Sequence, residues 1–109
     1  MEKYNVFTTP DADNDVDRCH NYLLEHFQSD QAGDAFLDDY DETVDELSLV
    51  AGKLQVGTSK IMKMRNLRRI NFRRHDYFMI YRINGNDAEI IAVAHFKEDL
   101  HRILVQRGD

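Results

Sequence analysis

Apolar positions along this chain first follow a helical period of about 3.6 residues and later a strand period of 2. Ahead of both, residues 4–9 (Tyr-Asn-Val-Phe-Thr-Thr) are β-branched and aromatic and predict a short strand, stopped by Pro10. Val16, His20 (or Cys19), Leu23 and Phe27 then recur at three- and four-residue steps. That spacing predicts a helix over about 12–28, capped by Asp11 or Asp13, with Asp15 and Asp17 in its favourable first turn. A second helix, capped by Ser29 or Asp30, carries the stripe Phe36, Tyr40, Val44 (with Thr43), Leu47 and Val50/Ala51 and is stopped by Gly52. Its other face is the acid run Asp34, Asp38, Asp39, Asp41, Glu42 and Asp45, which reads as solvated.

Residues 52–60 contain two glycines and predict a loop, after which the period becomes that of a strand. Residues 67–73 alternate, with Ile70 and Phe72 on one face and Arg69, Asn71 and Arg73 on the other. Arg74, His75 and Asp76 form a plausible hairpin turn. Residues 77–83 are apolar on both faces, as a central strand is. Asn84-Gly85-Asn86-Asp87 signals a hairpin into a further strand over 88–95, and residues 97–104 predict a short terminal helix with Leu100, Ile103 and Leu104 inward. The order β-α-α-β-β-β-α predicts an α+β fold: a small, mostly antiparallel sheet with an N-terminal helical hairpin on one face and a short C-terminal helix.

A length of 109 residues fits a single domain spanning the whole chain, and its 42% apolar content supports a core without disulfides or metal. No apolar run reaches the roughly 20 residues of a membrane helix, and the first residues lack the order of a signal peptide, so a cytoplasmic protein is expected. Cys19 is the one cysteine and reads as a small buried side chain. Neither a zinc motif nor any other cofactor signature is present in the sequence.

Charge changes this picture, because it is sorted. Residues 1–59 hold fourteen acids against Lys3, Arg18 and Lys53. Residues 60–82 hold eight basic side chains (Lys60, Lys63, Arg65, Arg68, Arg69, Arg73, Arg74 and Arg82) against Asp76 alone. The formal net charge of −6 disfavours a polyanion-binding protein, yet the basic stretch would make a local phosphate or acidic-peptide surface if it formed one continuous face.

The element order, together with residues 69–101, resembles the RelE/ParE family of bacterial toxins from type II toxin–antitoxin modules (plasmid stabilisation type). Tyr77-Phe78-Met79-Ile80-Tyr81 is similar to that family's tyrosine-bounded strand, and His95-Phe96-Lys97-Glu98-Asp99 to its closing motif. The resemblance implies one of two activities. RelE-like members are ribosome-dependent endoribonucleases that cut mRNA in the ribosomal A site; ParE-like members poison DNA gyrase and need no nuclease chemistry. Both are neutralised by a cognate antitoxin whose extended segment wraps the toxin. A degenerate, purely protein-binding member is the third reading.

Metal-free RNA cleavage needs a base for the ribose 2′-hydroxyl, cations at the phosphate and an acid for the leaving oxygen. Arg69 and Arg73, on one strand face, are candidates to grip a phosphate, with solvated edge-strand arginines as the structural alternative. His95, at a strand end, is the best titrating candidate, and some ribonuclease members use a histidine at this motif. Tyr81 offers a hydrogen bond or a stacking surface, against ordinary core packing. Lys60, Lys63, Arg65 and Arg74 extend the candidate RNA/phosphate track, and Glu46 lies where some family nucleases keep a general base. One departure opposes cleavage: the family places an arginine after the first tyrosine, and this chain has Phe78. These parts lean slightly toward an mRNA interferase, with gyrase inhibition as the alternative.

Overall fold

The computed structural model describes residues 3–107. Strand β1 (Asn5–Thr8) leads into helix α1 (Pro10–Phe27) and helix α2 (Asp30–Val50). A 3₁₀ turn (Ala51–Lys53), helix α3 (Lys60–Arg65) and strand β2 (Leu67–Asn71) follow. Strands β3 (Tyr77–Asn84) and β4 (Asp87–His95) and helix α4 (Leu100–Gln106) complete the fold. Residues 1–2 and 108–109 lie outside the description, and with them Glu2 of the acids counted above.

The caps explain where the helices begin. Thr9, rather than Asp11 or Asp13, accepts the Ala12 N–H at 3.1 Å, and Pro10 fits the first helical position because its missing N–H has no partner there anyway. Ser29 caps α2, and its hydroxyl accepts the Ala32 N–H. Asp99 caps α4 through the Arg102 N–H, which starts that helix three residues later than its apolar spacing suggests. Helix α3 starts at the end of the expected loop and fills residues to which the sequence pattern assigns no element. Ser59 caps it at its start and Asn66, at φ 57°, closes it in a left-handed conformation.

The sheet runs β1-β4-β3-β2, with β1 parallel to β4 and the other two pairings antiparallel. Gly85, at φ +62°, makes the tight β3–β4 turn that brings Asn84 opposite Asp87. Because β3 and β4 are buried on both faces, the sheet separates two apolar clusters. One joins the sheet to α1 and α2 through Val16, Cys19, Leu23, Phe36, Leu47, Ile70, Phe72, Tyr77, Met79, Tyr81 and Val93. The other lies beneath α3 and α4 and contains Met62, Leu67, Phe78, Ile80, Ile91, Ala94 and Leu104. The second face is therefore covered, not open. Cys19, rather than His20, joins Val16 and Leu23 on the inward face of α1, whereas Phe27 stands 58% exposed. No described helix is long and apolar enough to cross a membrane.

Candidate functional site

Strand alternation decides which candidate side chains can meet. On β2, Arg68 and Ile70 face the helical hairpin, while Leu67 and Arg69 face the opposite side. The Arg69 guanidinium sits 4.0 Å from the centre of the Phe78 ring and 5.1 Å from that of Phe96, and its Nε donates to Asn71 Oδ1 at 2.8 Å. Partial burial lowers its pKa from the ordinary arginine value. Phe78 serves here as an aromatic platform for Arg69.

Arg73 lies beyond the strand that carries Arg69, on the bend that follows it. Strand β2 ends at Asn71, and Asp39 of α2 engages the backbone of that bend. Its carboxylate accepts the N–H groups of Arg73 (3.1 Å), Arg74 (3.0 Å) and His75 (2.8 Å), and also lies 2.7 Å from His75 Nδ1. Asp39 is wholly buried, so it does not belong to the solvated acid face on which the sequence pattern places it. Burial alone would raise its pKa; the His75 ring and the three amides outweigh that and hold it below the usual value.

His95 lies on the helical-hairpin side. Its ring meets Tyr77 edge-on at 4.9 Å and lines a cleft of about 410 Å³ with Arg18, Cys19, Tyr22, Tyr77, Lys97 and Glu98. Its Nδ1 accepts the Lys97 N–H at 3.0 Å, so in the neutral ring the proton resides on Nε2. Glu98 accepts the His95 N–H and pairs with Arg18 at 3.2 Å. Burial pushes Cys19 and Tyr77 up to about 12, leaving both protonated at neutral pH. His95 and Arg69 are on opposite faces of the sheet, and no single phosphate can touch both.

The remaining basic residues hold the fold together more than they present charge. Arg65 Nη1 donates to the carbonyls of Leu104 (2.7 Å) and Arg107 (3.0 Å) and closes the end of α4. Arg68 Nη1 gathers the carbonyls of Ala51, Gly52 and Leu54. Arg74 pairs with Glu42 at 2.7 Å, and Arg82 with Glu89 at 2.8 Å. Tyr81 is completely buried; its hydroxyl donates to Ala51 O at 2.7 Å, and burial pushes its pKa up to about 12. It is a core residue with a satisfied polar tip, out of reach of any nucleic acid. Lys60, Lys63 and Arg73 are exposed. The basic stretch thus does not form the continuous surface that its sequence suggests.

One buried ion pair also escapes the sequence pattern. Asp15, on α1, is 4% exposed and receives both terminal nitrogens of Arg107 at 2.7–2.8 Å, along with the Val93 N–H. The signal was present only as an acid adjoining Val16 on the apolar stripe. Among the described residues no group of His, Cys, Asp and Glu could hold a metal ion.

This architecture agrees with comparisons to known proteins. The family model for the ParE toxin of the type II toxin–antitoxin system parDE matches residues 6–100. The chain belongs to the ParE toxin family. No curated protein matches it in sequence. A solved chain from the chromosomal ParDE toxin–antitoxin system of P. aeruginosa is 19% identical, with a TM-score of 0.71 over 87% of this chain and 98% of that one. At that identity the likeness speaks for the fold. The family match runs from within β1 to the first residue of α4.

Proposed function

We propose that this ParE toxin acts by binding DNA gyrase, without cleaving RNA, and is held in check by a cognate antitoxin. One observation carries the choice against cleavage: Arg69 and His95 are separated by the sheet. The other candidate parts are no better placed. Tyr81 is buried, Arg65 and Arg74 are engaged elsewhere, and Phe78 cannot stabilise phosphate charge. Losing one donor that stabilises transition-state charge typically costs an enzyme on the order of 10²–10³ in rate, and this chain would have to do without several. Gyrase poisoning is what resemblance to the ParE branch implies, and it asks for a binding surface instead of a catalytic constellation.

The test uses purified toxin in two parallel reactions. With gyrase, ATP and relaxed plasmid, supercoiling is expected to fall with toxin concentration and to recover on addition of the antitoxin. With translating ribosomes, mRNA is expected to stay intact. Discrete mRNA cuts that vanish in Arg73→Ala and His95→Ala, with supercoiling unaffected, would reverse the assignment in favour of the ribosome.

A further inference from the structure

Helices α3 and α4 enclose a cleft of about 510 Å³ lined by Lys60, Ile61, Met64, Arg65 and His101. No carboxylate is among these residues, in a chain whose acids outnumber lysine and arginine by 20 to 14. Met64 is 76% exposed, although a thioether side chain of this size is ordinarily covered, as Met62 is at 5%. Exposed methionine suits a surface that must adapt to a partner's apolar side chains. Lys60 and Lys63 are exposed and make no ion pair among the described residues. The cleft is also preformed, since the Arg65 guanidinium ties α3 to the Leu104 and Arg107 carbonyls at the end of α4.

We infer that the α3–α4 cleft is a docking site for an acidic peptide segment that seats one or two apolar side chains against Ile61 and Met64, with its carboxylates on Lys60 and Lys63. A cavity of this size matches side-chain anchors rather than a whole folded domain. The uncompensated lysines beside it select negative charge. The assignment rests on the reading that a cognate antitoxin holds this toxin, and it makes an acid-rich, apolar-anchored stretch of that antitoxin the occupant. RNA is the less suitable occupant, because the lining offers no phenylalanine, tyrosine or tryptophan ring on which successive bases could stack.

Titration of the full-length toxin with the purified antitoxin encoded in the same module tests this. Met64→Ser and Lys60→Glu are each expected to weaken binding about tenfold. Lys60→Glu should also flatten the salt dependence. The melting temperature should hold, since both side chains are exposed. Wild-type affinity in both variants overturns the site. Loss in Met64→Ser without loss in Lys60→Glu overturns its acidic selectivity. A single-stranded RNA oligomer that binds as tightly as the antitoxin, and is released by Lys60→Glu, overturns the choice of a protein partner. Gyrase inhibition by the free wild-type toxin is read separately, so failure of the target reading leaves this result standing.

Discussion

Asp39 accepts the amides of Arg73, Arg74 and His75 and faces the His75 ring, all without solvent exposure. Replacing it by alanine leaves three amides short of their acceptor, and Asp39→Ala is expected to destabilise the fold by about 3 kcal/mol, measured by urea unfolding. Its carboxyl pKa is lowered in the folded chain, whereas an unfolded aspartate titrates near pH 3.9 (roughly). The stability it confers is therefore complete above about pH 4 and disappears as pH falls through the lower, folded value. Melting temperature followed from pH 7 to pH 2 should drop more steeply below about pH 4 in the wild type than in Asp39→Asn; parallel curves would contradict this role. Tyr81 makes a second prediction. Tyr81→Phe removes only the hydroxyl bond to Ala51 O, so a loss of about 1 kcal/mol is expected, with gyrase inhibition intact. Asp39 was legible in principle, since it stands three residues after Phe36 and four before Thr43 on the buried stripe. The acids on either side hid it: periodicity places a residue inward, but does not say that a carboxylate there will find amides.

Helix α4 shows the same economy at the scale of an element. Seven residues are too few for a helix to persist alone, and α4 is fixed by Leu104 in the second cluster and by two arginines near its end. Arg65 closes its terminal carbonyls, while Arg107 crosses to Asp15 on α1 and to Ile91 O on β4. The Asp15 carboxylate raises the pKa of Arg107, as expected for a close and largely buried pair. Arg107→Ala strands the Asp15 carboxylate, whose side chain is 5% exposed, and should cost about 3 kcal/mol, seen as a melting point lower by roughly 10 °C. Adding Asp15→Asn to that variant should restore part of the loss, because the stranded charge is then gone. No recovery would mean that Arg107 acts through packing alone. The sequence pattern places α1, α2, β3 and β4 to within a residue or two, because their patterns run over many residues. Helix α3 escaped it: six residues after two glycines offer no period, and only its brackets, Ser59 and Asn66, mark it. That short helix and α4 cover the sheet face on which an exposed basic surface was expected.

Across the whole molecule, charge sorted along the sequence becomes charge dispersed in space. Eight basic side chains lie between residues 60 and 82. Arg65 and Arg68 are drawn to backbone carbonyls, Arg74 and Arg82 to carboxylates, and Arg69 to two aromatic rings. Lys60, Lys63 and Arg73 remain, on α3 and on the β2–β3 bend. Two neighbouring lysines on α3 and Arg73 on the bend are too few, on a body of net charge −6, to track the successive phosphates of a polyanion. Affinity for a single-stranded RNA oligomer at physiological salt is accordingly expected to be weaker than about 100 µM, below the ordinary non-specific range. The logarithm of any residual binding constant should fall with that of salt concentration with a slope no steeper than about −2, the value for three phosphate contacts on a single strand. Fluorescence anisotropy across a salt series measures both. A steeper slope with micromolar affinity would show that the arginines leave their carbonyl and carboxylate partners when a polyanion arrives, and would return RNA to contention. Reading a run of basic residues as a surface presumes that side chains close in sequence share a direction. Here β2 sends neighbours to opposite faces, and the residues after it lie on a bend whose backbone Asp39 engages.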